Sequence, residues 1–550
     1  MEKLLYKLKC KEIEINVVDD QLKLNLPHQL DCTEILAEVR QNKEALIAFI
    51  KNAQGRNNPD QTDCWFDKKE IAGLNLLDKK DFYEVVHQQR KEYVRSLIIG
   101  KYAYNLNFYT QVEVLNTEIM RKVINTLVER HESLRTYMVL SDGKVYQGIY
   151  DMIPADFEIG YLNLLEEQDE QAKNAKLCTQ AYDILFDFQK QPLMAFTMVD
   201  YAENIHGVAV TLHHTIADEA SVKILKTEIE LLYKAFLKGE PNPLPALKLQ
   251  YKEYAAWVNN FLQSGKGLKS KNFYTQKISE SIKLNKARKA KHQNINPALI
   301  SSPAKSYRQQ LQSEIKKYLL TADTDRFFEA EGTITNIYVQ PGASFVTYIQ
   351  APVLQRLRKF STQCESSLYM TFTALFAVLF HKVEELASVR FSLPYTTRVF
   401  KEFEPIIGWL TSEIITCVEM NEELTIRDLV KTVTNNVLEA ADHRFYAHEM
   451  IMKDLDIQLN DLSPVLLNFI SSQDLLVEDL TPHHDDFGSG HFNFKCTIRE
   501  HTNCVSLSIQ YNTEIYTAEK IEEMLNIYFK LIDSVLQYSE LPLSSFIKTV

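Results

Sequence analysis

Two adjacent histidines and a nearby aspartate form the group of side chains best suited to chemistry. His213 and His214 are followed by Asp218 in the stretch LHHTIADE, residues 212–219. An imidazole with a pKa near neutrality can act as a general base. The aspartate lies one turn further on, where it can bond to the backbone or to an arginine and fix the loop. Alone, this spacing is a weak pattern, because one packed and one solvated histidine would fit it equally well.

The flanking sequence predicts the elements that must hold these side chains. Residues 207–212 are a short apolar run rich in β-branched residues, which predicts a buried strand. Residues 220–236 carry apolar side chains at helical spacing. The histidine pair is therefore expected at a strand end, where a turn and a helix begin. Such a position can hold an imidazole rigidly while one face stays open to a cleft.

Composition narrows the classes of function. The chain has 550 residues, enough for two or three domains, and a net charge of -12, which argues against nucleic acid as the main partner. Its eight cysteines are scattered without a C-x-x-C pair, so we expect reduced thiols in a cytoplasmic protein and no metal site. No apolar run approaches a membrane span. Neither a P-loop nor a G-x-G-x-x-G motif is present, so nothing suggests that the chain binds ATP or a dinucleotide.

The first 53 residues predict a separate small unit. A short amphipathic helix at 2–9 precedes two alternating segments at 12–17 and 21–26, which predict a hairpin. A capping box at Asp31 and Glu34 opens a helix that continues to residue 51. The hairpin edge could accept a strand from another chain, or the unit could simply pack on the main body. Residues 54–70 predict a linker, polar with Gly and Pro over 54–63.

This order of helix, hairpin and helix resembles the tubulysin-type N-terminal docking domain of nonribosomal peptide synthetases. The resemblance implies that residues 1–53 bind the C-terminal tail of an upstream synthetase subunit, and the unit could also mediate dimerisation. Lys9, Lys11 and Lys23 lie on or beside the hairpin and could pair with an acidic tail. A solvated charged face explains these lysines equally well, because exposed ion pairs contribute only about 0–1 kcal/mol.

The remainder of the chain resembles a condensation domain of nonribosomal peptide synthetases. Several motifs in the family's order, across about 450 residues, are far more specific than any single one. The motifs are an opening segment at 81–93 that keeps Gln89, RHESLRT at 130–136, FDFQKQPL at 186–193, HHTIAD at 213–218, YKEYAAW at 251–257, IGWL at 407–410 and SIQYNTEIY at 508–516.

The resemblance implies an α/β fold of two chloramphenicol-acetyltransferase-like lobes in a V arrangement, at 71–258 and 259–550. It also implies an acyltransferase that joins a carrier-bound acyl or peptidyl thioester to an amine. Donor and acceptor carrier proteins would present their substrates on phosphopantetheine arms, and the chain itself would bind no cofactor. Because no adenylation or carrier segment follows, we expect a free-standing enzyme acting in trans or the front piece of a longer subunit.

By resemblance, His214 faces the tunnel between the lobes and acts on the α-amine, as a base or by hydrogen bonding. His213 is expected to be structural. Asp218 is also expected to be structural, since the family pattern pairs it with the arginine of the second motif, here Arg135. A buried pair of this kind would keep the aspartate ionised and unavailable as a base.

Two departures from the family pattern bear on the site. Glu219 stands where the family usually has glycine, and it could narrow the tunnel, contact an unusual amine or point to solvent. The fifth motif ends in Trp409-Leu-Thr-Ser412-Glu, closer to the related epimerization domains, although the EGHGRE run expected of an epimerase is absent. Glu219, Trp409 and Ser412 are therefore candidates for substrate contact in the tunnel.

Three functions remain open from the sequence. The first is an amide-forming condensation enzyme that docks to an upstream carrier. The second is a catalytically idle platform that uses the fold to recruit another protein. The third is a stand-alone acyltransferase with a soluble amine, alcohol or CoA thioester. An intact His214 favours an enzyme, and the docking-like N-terminus favours carrier-bound donors.

Overall fold

A computed structural model of the chain gives its architecture. The structure describes residues 76–99, 105–152, 157–189, 192–291, 340–457, 459–470, 489–490, 492–501 and 503–545, together with 14–18, 21–25, 39–40, 42–43, 66, 71 and 74.

The described residues alternate between strands and helices, as expected for an α/β protein. The strands are β1 (Glu14–Val18), β2 (Gln21–Asn25), β3 (Tyr83–Glu84), β4 (Asn105–Val112), β5 (Thr136–Ser141), β6 (Lys144–Ile149), β7 (Gly160–Asn163), β8 (Met194–Ala202), β9 (Ile205–His213), β10 (Gln340–Gln350), β11 (Ser388–Thr396), β12 (Thr411–Glu419), β13 (Val465–Ile470), β14 (Ser489–Gly490), β15 (Phe494–Glu500) and β16 (Cys504–Asn512). The helices are α1 (His87–Ile99), α2 (Thr117–Arg130), α3 (Glu170–Leu177), α4 (Glu219–Leu237), α5 (Tyr251–Gln263), α6 (Gly265–Lys291), α7 (Ala351–Gln363), α8 (Leu368–Val383), α9 (Ile426–Asp442), α10 (His448–Leu455), α11 (Leu459–Leu462) and α12 (Ala518–Gln537).

The first lobe is built on a four-stranded sheet in the order β4-β9-β8-β7. Strand β9 lies between two partners and is buried over residues 207–213, which explains its continuous apolar run. A smaller sheet, in the order β3-β6-β5, completes the lobe. Helices α2 and α4 pack together beside the larger sheet and share its hydrophobic core. The predicted strand before the histidines and helix after them are both confirmed.

The second lobe contains a seven-stranded mixed sheet in the order β12-β11-β13-β15-β16-β10-β14. Its core includes helix α8, whose phenylalanines Phe372, Phe376 and Phe380 are almost completely buried. Phe376 stacks on Tyr528 of α12 at 4.4 Å between ring centroids. Burial on nearly all sides explains why α8 is apolar around its whole circumference rather than along one stripe.

Helix α6 packs against the second lobe. Ser270 Oγ lies 3.0 Å from His443 Nδ1, and the side-chain amide of Asn285 donates to the Ser388 carbonyl at 2.7 Å. The preceding helix α5 instead packs with an aromatic cluster at the junction of the lobes. The boundary that we predict at 258/259 falls within α5 and stays a prediction.

An irregular segment of the second lobe, residues 397–410 between β11 and β12, reaches across to the first lobe. Phe400 and Phe403 pack edge-on against Trp257 of α5, each at 5.5 Å between centroids. Ile407 enters the hydrophobic core of the first lobe. This crossing segment, as we call residues 397–410, brings second-lobe groups next to the histidine turn.

At the N-terminus, the predicted hairpin is confirmed, since β1 pairs antiparallel with β2. The helix predicted at 2–9, most of the helix at 31–51, the polar linker at 54–63 and the lysines Lys9 and Lys11 lie outside the described residues. Lys23 lies on β2 opposite Asn16. A docking role for this unit therefore stays a prediction.

Within the described part of the chain, no single helix is long and apolar enough to cross a membrane. Helices α7 and α8 meet that test of length and composition only as a pair, with a 99° bend between them.

Candidate active site between the lobes

The histidine pair lies where β9 leaves the sheet. Strand β9 ends at His213, a 3₁₀ turn covers His214–Ile216, and helix α4 begins at Glu219. His214 is only 6% exposed, and its ring lies 4.1 Å from that of Trp409, tilted by 44°. The imidazole is therefore placed at the lobe junction, against an indole from the crossing segment.

His213 and Gln89 hold the backbone of this turn. Nδ1 of His213 accepts from the Thr215 N–H at 3.2 Å, and the rings of His213 and Phe188 pack in a T-shaped arrangement at 4.6 Å between centroids. The fully buried Gln89 of α1 donates from Nε2 to the Thr215 carbonyl at 3.0 Å. These contacts support a structural role for His213 and give Gln89 one as well.

Asp218 is completely buried and joins the two lobes. Arg398 donates to its carboxylate from Nη1 at 2.6 Å and from Nη2 at 2.9 Å, so the ion pair is bidentate. Arg398 follows β11 in the second lobe, whereas Asp218 caps α4 in the first. Planar fork-to-fork pairing of this kind fixes geometry as well as charge.

Further donors surround the same carboxylate. Asp218 accepts the backbone N–H of Ser221 at 2.9 Å and its hydroxyl at 2.7 Å, as expected of a helix N-cap. It also accepts the Leu410 N–H at 2.9 Å and the Thr411 hydroxyl at 3.0 Å, both from the second lobe. Asp218 is thus a structural hub that ties the histidine turn to the start of β12.

The surroundings of Asp218 keep it ionised. Burial alone would raise the pKa of this carboxyl, but the Arg398 guanidinium and the hydrogen bonds from Arg398 and Ser221 hold the pKa below its ordinary value. A carboxylate in this state cannot serve as a proton acceptor near neutral pH. This supports the expectation that Asp218 does not act as the base.

The prediction that Arg135 pairs with Asp218 is wrong. The guanidinium of Arg135 donates to the carbonyl oxygens of Val128 at 2.9 Å and of Tyr150. It therefore satisfies carbonyls at the C-terminal end of α2 and at the end of β6, which is a usual task for an arginine near a helix end. Arg398 takes the place that we assigned to Arg135.

A close backbone approach positions Trp409. A side chain at Gly408 would place its Cβ 1.9 Å from Cδ2 of Tyr251, so only glycine fits there. The Tyr251 hydroxyl donates to the Trp409 carbonyl at 3.1 Å, and the Gly408 N–H donates to Ser221 Oγ at 3.1 Å. The fourth and fifth sequence motifs thus meet and set the position of the indole beside His214.

The three residues predicted to contact substrate, Trp409, Glu219 and Ser412, lie in different surroundings. Trp409 contacts His214, as described above. Glu219 is exposed on the first turn of α4, which agrees with the solvent-facing alternative. Ser412 is buried and alternates with Thr411 along β12, so it points to the sheet face away from Asp218. Its predicted contact with substrate in the tunnel stays a prediction.

Sequence reasoning missed Arg398, Ser221 and Thr411 as parts of the site. Ser221 had a local signal, since it lies three residues after an N-cap aspartate. Arg398 and Thr411 had none, because their partner Asp218 lies 180 and 193 residues away from them in the chain. Among the described residues, no group of three His, Cys, Asp or Glu side chains is arranged to hold a metal ion.

Replacing Arg398 should destabilise the protein far more than replacing Arg135. Arg398→Met leaves Asp218 buried without its countercharge, which costs about 3–5 kcal/mol. Arg135→Met removes hydrogen bonds to carbonyl groups that are partly open to water, at about 1–2 kcal/mol. Thermal and urea unfolding of both variants measure the difference. Equal losses, or a larger loss for Arg135→Met, would contradict the assignment of Arg398.

The stability that Asp218 supplies should depend on pH. Its folded-state pKa lies below the value of about 3.9 in the unfolded chain, so its contribution is complete above that value and is lost as the pH falls through the folded pKa. Asp218→Asn should therefore be less stable than the wild type at pH 7, with a smaller gap below about pH 4. Unfolding midpoints at pH 7, 5 and 3.5 test this, with the exposed Asp142→Asn as control. A gap that stays constant across this range would show that the carboxylate's charge is not what matters.

Comparison with known proteins agrees with this geometry. The chain matches the family model of the condensation domain over residues 79–324 and 341–548. It is 24% identical over 489 residues to surfactin synthase subunit 1 of Bacillus subtilis (strain 168), which covers 87% of this chain. The chain spans only 12% of the length of that relative.

Two solved structures share the fold. One is the structure describing condensation domain-mediated chain release from the enacyloxin polyketide synthase, with a TM-score of 0.61 and 14% identity, covering 98% of this chain and 97% of that one. The other is the complex of the X-domain and OxyB from teicoplanin biosynthesis, with a TM-score of 0.61 and 16% identity, covering 86% and 97%. These likenesses confirm the predicted α/β fold of two chloramphenicol-acetyltransferase-like lobes. With the family match extending over most of its length, the chain belongs to the condensation-domain family.

Proposed function

We propose that this protein is a nonribosomal peptide synthetase condensation enzyme, which forms an amide bond between an acyl or peptidyl thioester and an amine. The observation that carries the proposal is the position of His214. Its imidazole is held at the lobe junction by a turn that Gln89, His213 and the Asp218–Arg398 pair fix from three sides. A rigidly placed base or hydrogen-bonding group is what attack by an amine requires.

In the proposed reaction the amine nitrogen attacks the thioester carbonyl carbon. A tetrahedral oxyanion forms, the amine proton leaves, and the thiolate departs and takes up a proton. His214 either accepts the amine proton or orients the amine by hydrogen bonding. The Asp218 carboxylate is held ionised by Arg398 and serves only to position the turn.

We propose that both substrates arrive on the phosphopantetheine arms of donor and acceptor carrier proteins, as the family resemblance implies. The upstream subunit would dock on residues 1–53. The hairpin supports this, because β1 and β2 form a two-stranded sheet whose edges could accept a strand from a partner tail. Contact of Lys9, Lys11 and Lys23 with an acidic tail, dimerisation through this unit and a cytoplasmic location are further parts of the proposal.

A recruiting platform without catalysis is the second candidate. One neighbour in fold is an X-domain solved in complex with OxyB, so the fold itself can bind another protein. Glu219 and the altered fifth motif favour the same alternative. The His214–Trp409 contact and the intact turn favour an enzyme. A stand-alone acyltransferase with a soluble acceptor is the third alternative.

Removing the imidazole should separate these functions. In an intact-mass assay with an acyl-loaded donor carrier and an aminoacyl-loaded acceptor carrier, the wild type should transfer the acyl mass to the acceptor. His214→Ala should be slower by about 10²–10⁴-fold, the usual contribution of general acid–base catalysis. His206→Ala is the matched control, because His206 lies at the opposite end of the same strand and pairs with Asp200.

The other outcomes are equally informative. Full activity in His214→Ala would remove its catalytic role. No transfer by either protein, with the upstream subunit still bound to residues 1–53, would favour the recruiting platform. Transfer only to a free amine or alcohol would favour the stand-alone acyltransferase.

A further inference from the structure

A second polar group lies beside the proposed active site, formed by Ser392, Glu413 and His448. Glu413 Oε2 accepts the Ser392 hydroxyl at 3.1 Å and lies 3.1 Å from Nδ1 of His448. Ser392 and His448 are buried, whereas the Glu413 side chain is 34% exposed. The two buried groups thus brace the carboxylate from behind and leave its outer side accessible.

The composition of this group suggests a nucleophilic triad, but its arrangement is the reverse of one. Ser392 is fully buried, so a substrate cannot reach its oxygen. Its hydroxyl donates to Glu413, and Nε2 of His448 lies at the longer distance of 3.4 Å. The accessible end is the carboxylate, which makes this a binding group rather than a source of a nucleophile.

Glu413 faces the junction of the lobes. It lies two residues after Thr411 on β12, and alternate residues of a strand share a face. The Thr411 hydroxyl donates to Asp218 of the first lobe. On the same side, Lys91 of α1 contacts Glu449 of α10 across the lobes at 3.1 Å. Burial would lower the pKa of Lys91, but the Glu449 and Glu413 carboxylates hold it above its ordinary value, which places Glu413 near this contact.

The negative charge of Glu413 is only partly compensated. One ammonium group, Lys91, acts on two carboxylates, Glu413 and Glu449, and its close contact is with Glu449. The close ion-pair contact of Glu413 is with His448. Burial lowers the pKa of His448 more than the Glu413 and Glu449 carboxylates raise it, so this imidazole is largely neutral near pH 7. A carboxylate held by a neutral imidazole and a hydroxyl attracts a cation.

The distance to His214 limits which cation this is. Trp409 contacts His214, and four residues of fully extended chain from Trp409 to Glu413 span at most about 14 Å. Glu413 therefore lies within reach of a substrate held at His214. Four residues separate it from Trp409 along the chain, so we assign it to the end of a substrate side chain and leave the reacting amine to His214.

We propose that Glu413, braced by Ser392 and His448, selects substrates whose side chain ends in an ammonium or guanidinium group. The inference rests on the proposed condensation function. Such a group pairs with a carboxylate through charge-assisted hydrogen bonds, and the partly enclosed position strengthens the pairing. The cationic side chain belongs either to the acyl donor or to the amine acceptor, and the two sources are separated by experiment.

The test compares lysine with norleucine, which has the same carbon chain without the terminal amine. In one arm, lysyl and norleucyl N-acetylcysteamine thioesters compete as acceptors for a common neutral donor. In the other arm, the same two thioesters, acetylated on the α-amine only, compete as donors for a common neutral acceptor. We expect the 550-residue wild type to prefer lysine by about tenfold in one arm, as for loss of a hydrogen bond to a charged group. That arm identifies the source.

Glu413→Gln should bring this ratio close to one, because the amide keeps the shape of the side chain without its charge. Glu419→Gln is the matched control, because Glu419 is an exposed carboxylate at the far end of the same strand and should leave the ratio unchanged. An unchanged lysine preference in Glu413→Gln, or no lysine preference by the wild type in either arm, would overturn the proposal.

A binding measurement keeps the test independent of catalysis. N-acetyl-lysine amide and N-acetyl-norleucine amide are titrated into the wild type and Glu413→Gln by calorimetry. If neither protein catalyses transfer, the proposed condensation function fails. Tighter binding of the lysine amide by the wild type, lost in Glu413→Gln, would still support the role of Glu413. Equal binding of the two amides by the wild type, in the absence of transfer, overturns it.

Discussion

The buried ion pair between Asp218 and Arg398 is the interaction on which the rest of the site depends. Burying two charges costs several kcal/mol per ion, and their attraction offsets this only when the geometry is good and the remaining acceptor sites are filled. Here the pairing is bidentate, and Ser221 and Leu410 donate to the same carboxylate. Because each charge comes from a different lobe, the pair is complete only when the lobes are correctly docked.

The backbone beside this pair has little freedom to move. Gly408 lies so close to Tyr251 that no larger residue fits. The Ser133 hydroxyl donates to the Ile407 carbonyl, and the Gly408 N–H donates to the hydroxyl oxygen of Ser221. These contacts fix the crossing segment immediately before Trp409, and the bond from the Leu410 N–H to Asp218 fixes it immediately after. Misplacing catalytic geometry by about 1 Å can cost on the order of 10²-fold in rate. The dense bonding of a segment without regular structure is therefore consistent with a positioning role.

Local features of the sequence predicted much of the fold, whereas contacts between residues far apart in the chain could not be predicted. The apolar run of β9, the helical spacing of α4 and the alternation in β1 and β2 each reflect local rules, and each is confirmed. The prediction of Arg135 as the partner of Asp218 was wrong, because no local rule states which arginine the docking of the lobes will bring near it. The face of β12 on which Ser412 lies could not be predicted either. It depends on where the strand begins, and a shift of one residue reverses every side chain.

Strand β12 links the two functional groups of the lobe junction. Thr411, at its start, bonds to Asp218, and Glu413 follows on the same face. The register of β12 against β11 pairs Thr411 with Thr396 and Glu413 with Pro394, so neither position can shift without the other. A change in docking of the lobes that moves Asp218 therefore acts on the histidine turn and on the Glu413 carboxylate together. On the two proposals made above, rate and substrate choice would be coupled through one strand, because the same register places both groups.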